Sequence, residues 1–316
     1  MTETTRTVFD TYEIRKSKKQ KSAFIDYVQA TATVWGYESH TEKGYLGARN
    51  IVVGNPEKAK VIYTAHYDTC ARMPFPNFIT PKSIVVYLLY QVLVTVILLG
   101  VPCLLTIGLG AVLSRFVPED VGVLILYYTW LALVIAELWL IMAGPANKHT
   151  ANDNTSGVTT LLDIMHALPE NLRGEVAFIF FDLEEMGLFG SAGYASKHKA
   201  IMKNTLLLNF DCVSDGNTIL FAVRKGAKKY ISAIESAFPT TDDHRAEVVS
   251  KGVFYPSDQV NFARGVGVAA LKKGKFGLLY MDRIHTKRDT VYEEGNIAYL
   301  TEGAVKLVQN LTHTNP

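Results

Sequence analysis

The chain has 316 residues, of which 48% are hydrophobic and 20% are charged, and its formal net charge is +2 at pH 7. Such a balanced charge indicates neither a nucleic-acid partner nor an acidic substrate. The three cysteines, Cys70, Cys103 and Cys212, are too few and too scattered for a disulfide framework or a thiolate zinc site. Cys70 and Cys212 lie close in sequence to candidate site residues. We interpret them as small core residues, with a redox role as the alternative.

The N-terminal part has no apolar segment of the kind found in signal peptides, and it predicts one helix followed by two strands. Residues 17–37 carry apolar side chains at helical spacing after a basic cluster. We expect that cluster to be solvated, and docking to anionic lipid headgroups is the alternative. Strands are predicted at 50–54 and 60–65, and the second runs directly into His66.

Two long apolar stretches follow, 84–113 without any charge and 121–142 with Glu137 as its one charged residue. Each is long enough to cross a hydrocarbon core about 30 Å thick at about 1.5 Å per residue. A pair of buried helices in a soluble protein is the alternative, but no other part of the chain offers a core large enough to cover them. We therefore predict a transmembrane helical hairpin within 81–143. Glu137 is expected to reach the membrane interface, with a functional intramembrane acid as the alternative.

The short connection 114–120 makes the two spans antiparallel, so the chain before and after the hairpin lies on one side of the bilayer. That side carries Arg72, Lys82 and Lys148 near the span ends, whereas the short loop carries Arg115. Because cytoplasmic segments are enriched in Lys and Arg, this bias favours a cytoplasmic location for the larger part of the chain.

Beyond the hairpin, strands and helices alternate, which is typical of an α/β fold. We predict a three-layer sandwich with a mixed, mostly parallel central sheet. Residues 1–80 and 144–316 are expected to form one discontinuous domain, with the hairpin inserted into a surface loop. The predicted strands are 176–181, 205–210, 218–223, 267–271 and an extended run at 277–284, and the predicted helices are 158–167, 192–199, 227–238, 257–263 and 294–311.

Several apolar runs end in residues that can bind a metal ion. These residues are His66, the pair Glu184 and Glu185, Asp211 and His285, and Asp153 joins them from a loop before a helix. In open α/β sheets, sites form at the carboxyl ends of the strands, so we expect these side chains to meet in one crevice. A mixture of imidazole and carboxylate ligands suits zinc, or less often cobalt or manganese.

Each residue taken alone has a simpler interpretation. A single histidine at a strand end is usually a hydrogen-bonded core residue, and Asp153 could cap the following helix. The acidic segment that contains Asp182, Glu184 and Glu185 could be a solvated turn. Ending a buried strand in three acids is costly, however, unless they meet cations or take part in chemistry.

Read together, these motifs resemble the co-catalytic di-zinc aminopeptidase family, which includes bacterial leucyl aminopeptidases, glutamate carboxypeptidase and the glutaminyl cyclases. The similarity extends from about residue 50 to 311 and follows the family's order. It rests on His66-Tyr67-Asp68, on Asn152 to Gly157 (NDNTSG), on Glu184 to Ser191 (EEMGLFGS), on Asn209-Phe210-Asp211, on Ser257-Asp258, and on His285-Thr286 with Asp289-Thr290.

The resemblance implies two zinc ions, with cobalt or manganese as possible substitutes. One ion would be held by His66 and Asp211 and the other by Glu185 and His285, while Asp153 would bridge both.

The resemblance also implies the catalytic groups. Glu184 would be the general base that takes a proton from the attacking water, and Asp68 would hydrogen-bond His66 and fix its tautomer. The implied activity is removal of the N-terminal residue from peptides. The predicted hairpin is a departure from the soluble members of the family, and it would anchor the enzyme in a membrane. A glutaminyl cyclase or another amide hydrolase on the same site, or a non-catalytic membrane scaffold, are the alternatives, and the sequence carries no signal for an oligomeric state.

Overall fold

A computed structural model describes residues 1–313, and within that range nine strands form one sheet. The strands are β1 (Ser39–Lys43), β2 (Arg49–Val53), β3 (Val61–His66), β4 (Val176–Phe181), β5 (Leu206–Phe210), β6 (Thr218–Val223), β7 (Arg245–Val249), β8 (Gly265–Lys273) and β9 (Leu279–Tyr280). Their order is β1-β2-β4-β3-β5-β8-β6-β7, and β9 pairs with β8. The four central neighbours β4, β3, β5 and β8 are parallel, and antiparallel pairs flank them. The sheet is therefore mixed with a parallel centre.

Helices cover both faces of this sheet and also form a separate hairpin. They are α1 (Glu3–Tyr12), α2 (Lys18–Val34), α3 (Ile84–Leu113), α4 (Glu119–Ala143), α5 (Gly157–Ala167), α6 (Phe189–Lys197), α7 (Lys199–Asn204), α8 (Ile231–Ala237) and α9 (Glu294–His313). The predicted α/β architecture is confirmed.

The alternation of side chains along the strands produces the layers. In β4, Phe178 and Phe180 belong to a buried cluster with apolar residues of α2, α5, α8 and α9. Ile179 and Phe181 point to the opposite face, where they pack with Tyr194 of α6 and other residues. Because successive strand residues face opposite sides, the continuous apolar run of β4 fills both cores at once. Burial on both faces fixes the register of the central strands, and that register determines where their ends lie.

The helices α3 and α4 pack against each other and leave most of their apolar surface exposed. In α3 the buried residues are Pro102 and Thr106, and in α4 the buried residue is Gly122. Both helices are long and apolar enough to cross a membrane by length and composition. The helix α3 has the bounds expected from the sequence, whereas α4 begins two residues earlier and ends one residue later.

Some elements differ from the sequence-based expectations. The predicted helix at 257–263 is a short turn at Asp258–Asn261, because the chain turns back to enter β8 at Gly265. A Cβ atom at Gly265 would lie 2.3 Å from the carbonyl oxygen of Gln259, so the two segments are too close for a longer helix. The extended run predicted at 277–284 contributes the two residues of β9, and α8 begins at Ile231 after a turn.

Candidate metal centre

Three neighbouring parallel strands deliver residues to one edge of the sheet. His66 is the last residue of β3, and in the register between β3 and β5 it lies two positions beyond the Thr64–Asn209 pair. Asp211 directly follows β5 and therefore lies beside His66. Glu184 and Glu185 follow β4, which pairs with β3 on its other side.

Two further residues reach this edge from loops. Asp153 lies in the turn Ala151–Ser156 that leads into α5, and His285 lies in the loop after β9. The structure thus brings all five predicted ligand residues together, although they come from five separate segments of the chain.

Asp153 stands between two groups of side chains. Its Oδ1 atom lies 3.2 Å from His66 Nε2, which is also 3.5 Å from Asp211 Oδ1. Its Oδ2 atom lies 3.1 Å from His285 Nε2, which is 3.3 Å from Glu185 Oε2. One carboxylate is therefore shared by two donor groups, with one oxygen in each.

The donor atoms fit divalent ions. Ligand atoms that are each about 2 Å from one tetrahedral ion lie roughly 3.3 Å apart, which is close to the distances in both groups. The donor atoms of His66, Asp153 and Asp211 all lie within 4.8 Å of one another, as do those of Asp153, Glu185 and His285. Glu185 Oε1 is buried and has no hydrogen-bond partner among residues 1–313, which is costly for a carboxylate oxygen unless a cation binds it.

Asp68 holds the main chain of the two adjacent glutamates. Its carboxylate accepts hydrogen bonds from the N–H groups of Glu184 at 3.0 Å and Glu185 at 3.3 Å. The main-chain oxygen of Asp68 lies 3.2 Å from His66 Nδ1, and its carboxylate Oδ1 lies 3.5 Å from the same atom. Asp68 therefore lies within hydrogen-bond distance of the histidine through its main-chain oxygen, and its carboxylate positions the turn that carries the glutamates.

The carboxylates at the site respond differently to burial. Desolvation raises the pKa of Glu184 well above its ordinary value, although the positive charge of His66 opposes the shift. The pKa of Asp153 is lowered, because hydrogen bonds from His285 and His66 outweigh its desolvation. Burial therefore acts against the charge of Glu184, whereas hydrogen bonds from two histidines favour the charge of Asp153.

Polar side chains behind the site hold the turn that carries Asp153. The carboxylate of Asp289 accepts hydrogen bonds from the N–H groups of Asn152 at 2.8 Å and Asp153 at 3.0 Å, and burial raises the pKa of Asp289 to about 8. Asn154 Nδ2 donates to the carbonyl oxygen of Phe210, so the turn is also tied to the end of β5. These residues occur in the quoted motifs, but the sequence assigned them no separate role.

Arg15 is a buried cation near the site that sequence reasoning missed. Its Nε atom donates to the carbonyl oxygen of Tyr67 at 2.6 Å, and its terminal nitrogens lie 3.3 Å from Thr155 Oγ1. Burial lowers its pKa to about 10, while the nearby acids Asp68 and Asp153 favour its charged form. No pattern in the sequence indicates that this arginine is fully buried.

Asp182 ends β4 but takes no part in either donor group. It forms a buried ion pair with Lys21 of α2, and its other oxygen accepts a hydrogen bond from the N–H of Arg49 at 3.0 Å. The three acids after β4 therefore have different surroundings. Asp182 pairs with a lysine of α2, whereas Glu184 and Glu185 face the site.

Asp258 is a fully buried carboxyl group near the site. Desolvation raises its pKa to about 7, against the opposing charge of His66. Its charge adds to the raised pKa of Glu184, for which desolvation is the largest cause.

Comparison with known proteins identifies the family of this chain. A family model described as peptidase family M28 matches residues 139–305, just over half of the chain. The match begins at the end of α4, so it includes Asp153, Glu184, Glu185, Asp211 and His285, whereas His66 and Asp68 precede it. No curated protein matches the chain.

Solved structures with the same fold share little sequence identity with this chain. The Legionella pneumophila LapA aminopeptidase has a TM-score of 0.57 at 12% identity, over 99% of this chain and 69% of that one. The Porphyromonas gingivalis glutaminyl cyclase has a TM-score of 0.57 at 15% identity, over 97% of this chain and 98% of that one. A leucine aminopeptidase precursor from Bacteroides thetaiotaomicron has a TM-score of 0.54 at 14% identity, over 97% and 94%.

Proposed function

The chain belongs to peptidase family M28, and from this membership we propose that it is a membrane-anchored, two-zinc aminopeptidase that removes the N-terminal residue from peptides. Residues 1–80 and 144–316 form the catalytic domain in this proposal, and the hairpin within 81–143 is its membrane anchor.

The observation that carries the proposal is the position of Asp153 between two donor groups. With Oδ1 beside His66 and Oδ2 beside His285, this carboxylate would offer one oxygen to each of two ions. In the proposed site, His66 and Asp211 complete one ligand group, and Glu185 and His285 complete the other.

The reaction follows from the chemistry of these groups. Two zinc ions bound there supply Lewis-acid activation of a water molecule and of the scissile carbonyl group. Glu184 accepts the proton of the attacking water and passes it to the leaving amine, as a general base and then a general acid. Asp68 keeps Glu184 in place through the main chain, so its role is positioning rather than proton transfer.

The attachment of the hairpin suggests where the substrate is found. The segment after β3 and the segment after α4 run together at the edge of the site, where Ala71 pairs with Ala146 and Cys70 accepts a hydrogen bond from the N–H of Asn147. The N–H of Met73 also donates to the carbonyl oxygen of His285. From these contacts we infer that the site lies near the membrane surface. The bias of Lys and Arg around the two spans favours the cytoplasmic side. We propose that the substrates are hydrophobic peptides, such as remnants of cleaved signal or leader sequences.

A glutaminyl cyclase is the second candidate, because the chain matches nearly the full length of the Porphyromonas gingivalis enzyme. The two reactions use the same kind of site but differ in nucleophile. Water attacks the carbonyl group in a peptidase, whereas the α-amine of the substrate attacks its own side-chain amide in a cyclase.

One experiment separates these functions. The full chain in detergent is assayed with a panel of aminoacyl-anilides and with a peptide that begins with glutamine, and its metal content is measured before and after treatment with a chelator. The proposal expects two zinc ions per chain, anilide cleavage, and loss of cleavage that is reversed by added zinc. Cyclisation without anilide cleavage would favour the second candidate, and neither activity in a fully loaded chain would contradict both.

A further inference from the structure

Cys70 lies inside the site that its neighbours form, although the resemblance assigns it no function. The residue is completely buried and its thiol is free. Its sulfur and the donor atoms of Asp153, Glu185 and His285 all lie within 4.8 Å of one another. Cys70 thus joins three residues that are already expected to hold one ion.

The main chain on both sides of Cys70 fixes the position of the thiol. Thr69 exchanges hydrogen bonds with Arg15, since its N–H donates to the Arg15 carbonyl oxygen and its hydroxyl accepts from the Arg15 N–H at 2.9 Å. On the other side, Ala71 pairs with Ala146 in the segment that follows α4. The sulfur therefore has little freedom to leave the group.

A second observation indicates that this group can bind a cation. Glu185 has a side chain that is only 7% exposed, and its Oε1 atom has no hydrogen-bond partner in the described range. A buried and unpaired carboxylate oxygen beside a thiol and an imidazole is unfavourable in an apo protein and favourable around a cation.

We propose that Cys70 is a fourth protein ligand of the ion held by Asp153, Glu185 and His285. The inference rests on the proposed two-metal function and adds a thiolate to a site that otherwise contains imidazole and carboxylate donors. When the ion binds, the sulfur–hydrogen bond breaks, the sulfur donates its electron pair to the ion, and the proton leaves to solvent.

Lys16 supplies a positive charge next to this group. Its ammonium is half-buried, donates to the carbonyl oxygen of Met142 at 3.4 Å, and interacts electrostatically with Cys70 and Glu185. The positive charge of Lys16 therefore lies where it would favour a negatively charged sulfur at Cys70.

The added ligand makes the two donor groups unequal. Asp153, Glu185, His285 and Cys70 would offer one ion four protein donors, and His66, Asp153 and Asp211 would offer the other ion three. A thiolate also selects zinc over manganese, because it is a soft ligand.

Cobalt spectroscopy tests the proposal directly. The full chain in detergent is stripped of metal and reloaded with two equivalents of Co²⁺, and its near-ultraviolet absorption is recorded. Bonding between Cys70 and cobalt is expected to produce a thiolate-to-cobalt charge-transfer band that Cys70→Ser abolishes. The same variant is expected to lose roughly 10- to 100-fold in affinity for one of two zinc ions, by analogy with the loss of other groups around a metal.

Cys212→Ser is the matched control. Cys212 is also buried beside a proposed ligand, but its thiol donates to Asp211 Oδ1 at 3.2 Å and its sulfur is in no donor group of the described residues. The control is expected to keep the charge-transfer band, because Cys212 lies in no donor group with Asp153, Glu185 and His285.

The outcomes separate this inference from the proposed function. Two bound cobalt ions without a thiolate band, or a band that Cys212→Ser removes, would overturn the role of Cys70 and leave the peptidase intact. A chain that binds no ions would overturn both. A missing band in the wild type, or a band that is lost in Cys212→Ser, decides against Cys70 without the Cys70→Ser variant, so the test does not depend on how well that variant folds.

Discussion

At the scale of single residues, Asp153 illustrates how much one side chain depends on its surroundings. Its two oxygens serve two donor groups, and they do so because Asp289 holds the main-chain N–H groups of Asn152 and Asp153. Asn154 then ties the same turn to β5. The arrangement places a carboxylate across two sites without strand or helix geometry to support it.

The proposed base can be tested by Glu184→Gln. We expect the variant to keep both metal ions, because Glu184 is not among the five proposed ligands, and to lose about 10²- to 10⁴-fold in kcat, because an amide cannot accept the proton. Anilide turnover and metal content are measured on the same preparation. Unchanged turnover would remove Glu184 from the mechanism.

The ligand set can be tested by His285→Ala. Loss of this imidazole is expected to lower bound zinc from two ions towards one per chain, measured by elemental analysis after dialysis. His198→Ala is the control, because His198 pairs with Glu42 at 2.9 Å and stacks on Tyr194, outside both donor groups. A variant at His285 that retains two ions would contradict the assignment.

The sequence was informative about residues that follow apolar strands and uninformative about residues that support them. His66, Asp211 and the adjacent glutamates could be predicted because a buried strand that ends in a metal-binding side chain is a local pattern. Arg15 reaches the site through a contact with Thr155, which is far along the chain. Such contacts depend on the tertiary fold, so no local pattern indicates them.

At the scale of elements, α2 is fixed to the end of β4 by the buried pair of Lys21 and Asp182. The lysine side chain is 9% exposed and the aspartate side chain 4% exposed. The pair therefore holds a helix of the outer layer against the strand end from which Glu184 and Glu185 continue.

Lys21→Met is expected to lower the free energy of unfolding by about 3–5 kcal/mol, because it leaves Asp182 buried without its cation. Denaturant titration of the protein in detergent measures the change. Lys60→Met is the matched control: Lys60 pairs with Glu175 at 3.2 Å, but both side chains are one-third exposed. Its loss is expected to cost at most about 1 kcal/mol. Equal costs for the two variants would contradict a structural role of the buried pair.

The elements that sequence patterns missed are those with weak apolar signals. The strand β1 has the sequence SHTEK and lies at the edge of the sheet, where charged residues are common because they discourage pairing with other chains. Its pairing with β2 depends on a contact between two segments, which the pattern within β1 does not indicate. In contrast, β4 and β5 could be predicted because their uninterrupted apolar runs permit burial on both faces.

At the scale of the whole molecule, the hairpin of α3 and α4 joins the catalytic part at the edge of the site. Replacing residues 84–143 with a short flexible linker is expected to release the protein from membranes and to leave cleavage of soluble anilides within about twofold. Cleavage of a membrane-bound peptide is expected to fall at least tenfold, since enzyme and substrate no longer share a surface.

Liposome-bound and soluble versions of one peptide provide the measurement and the control. If the intact chain and the shortened chain cleave the membrane-bound version equally well, the proposed substrate class is wrong. If the shortened chain still sediments with membranes, the anchoring role of the hairpin is wrong.

Membrane orientation can be tested with two single cysteines in a Cys103→Ser background. Ser114→Cys lies in the short connection between α3 and α4, and Ser236→Cys is at an exposed position of α8. A membrane-impermeant maleimide is expected to label the first in intact cells and the second only after lysis. The reverse pattern would place the catalytic part outside the cytoplasm.

The carboxylate of Asp68 accepts hydrogen bonds from the main-chain N–H groups of residues 184 and 185, so it holds the main chain and not the side chains. A different side chain at position 184 would therefore start from the same main-chain position, and the rest of the site would not move. The position of residue 184 and the chemistry of its side chain are thus determined separately, so a substitution there changes the reactive group without moving the end of the strand.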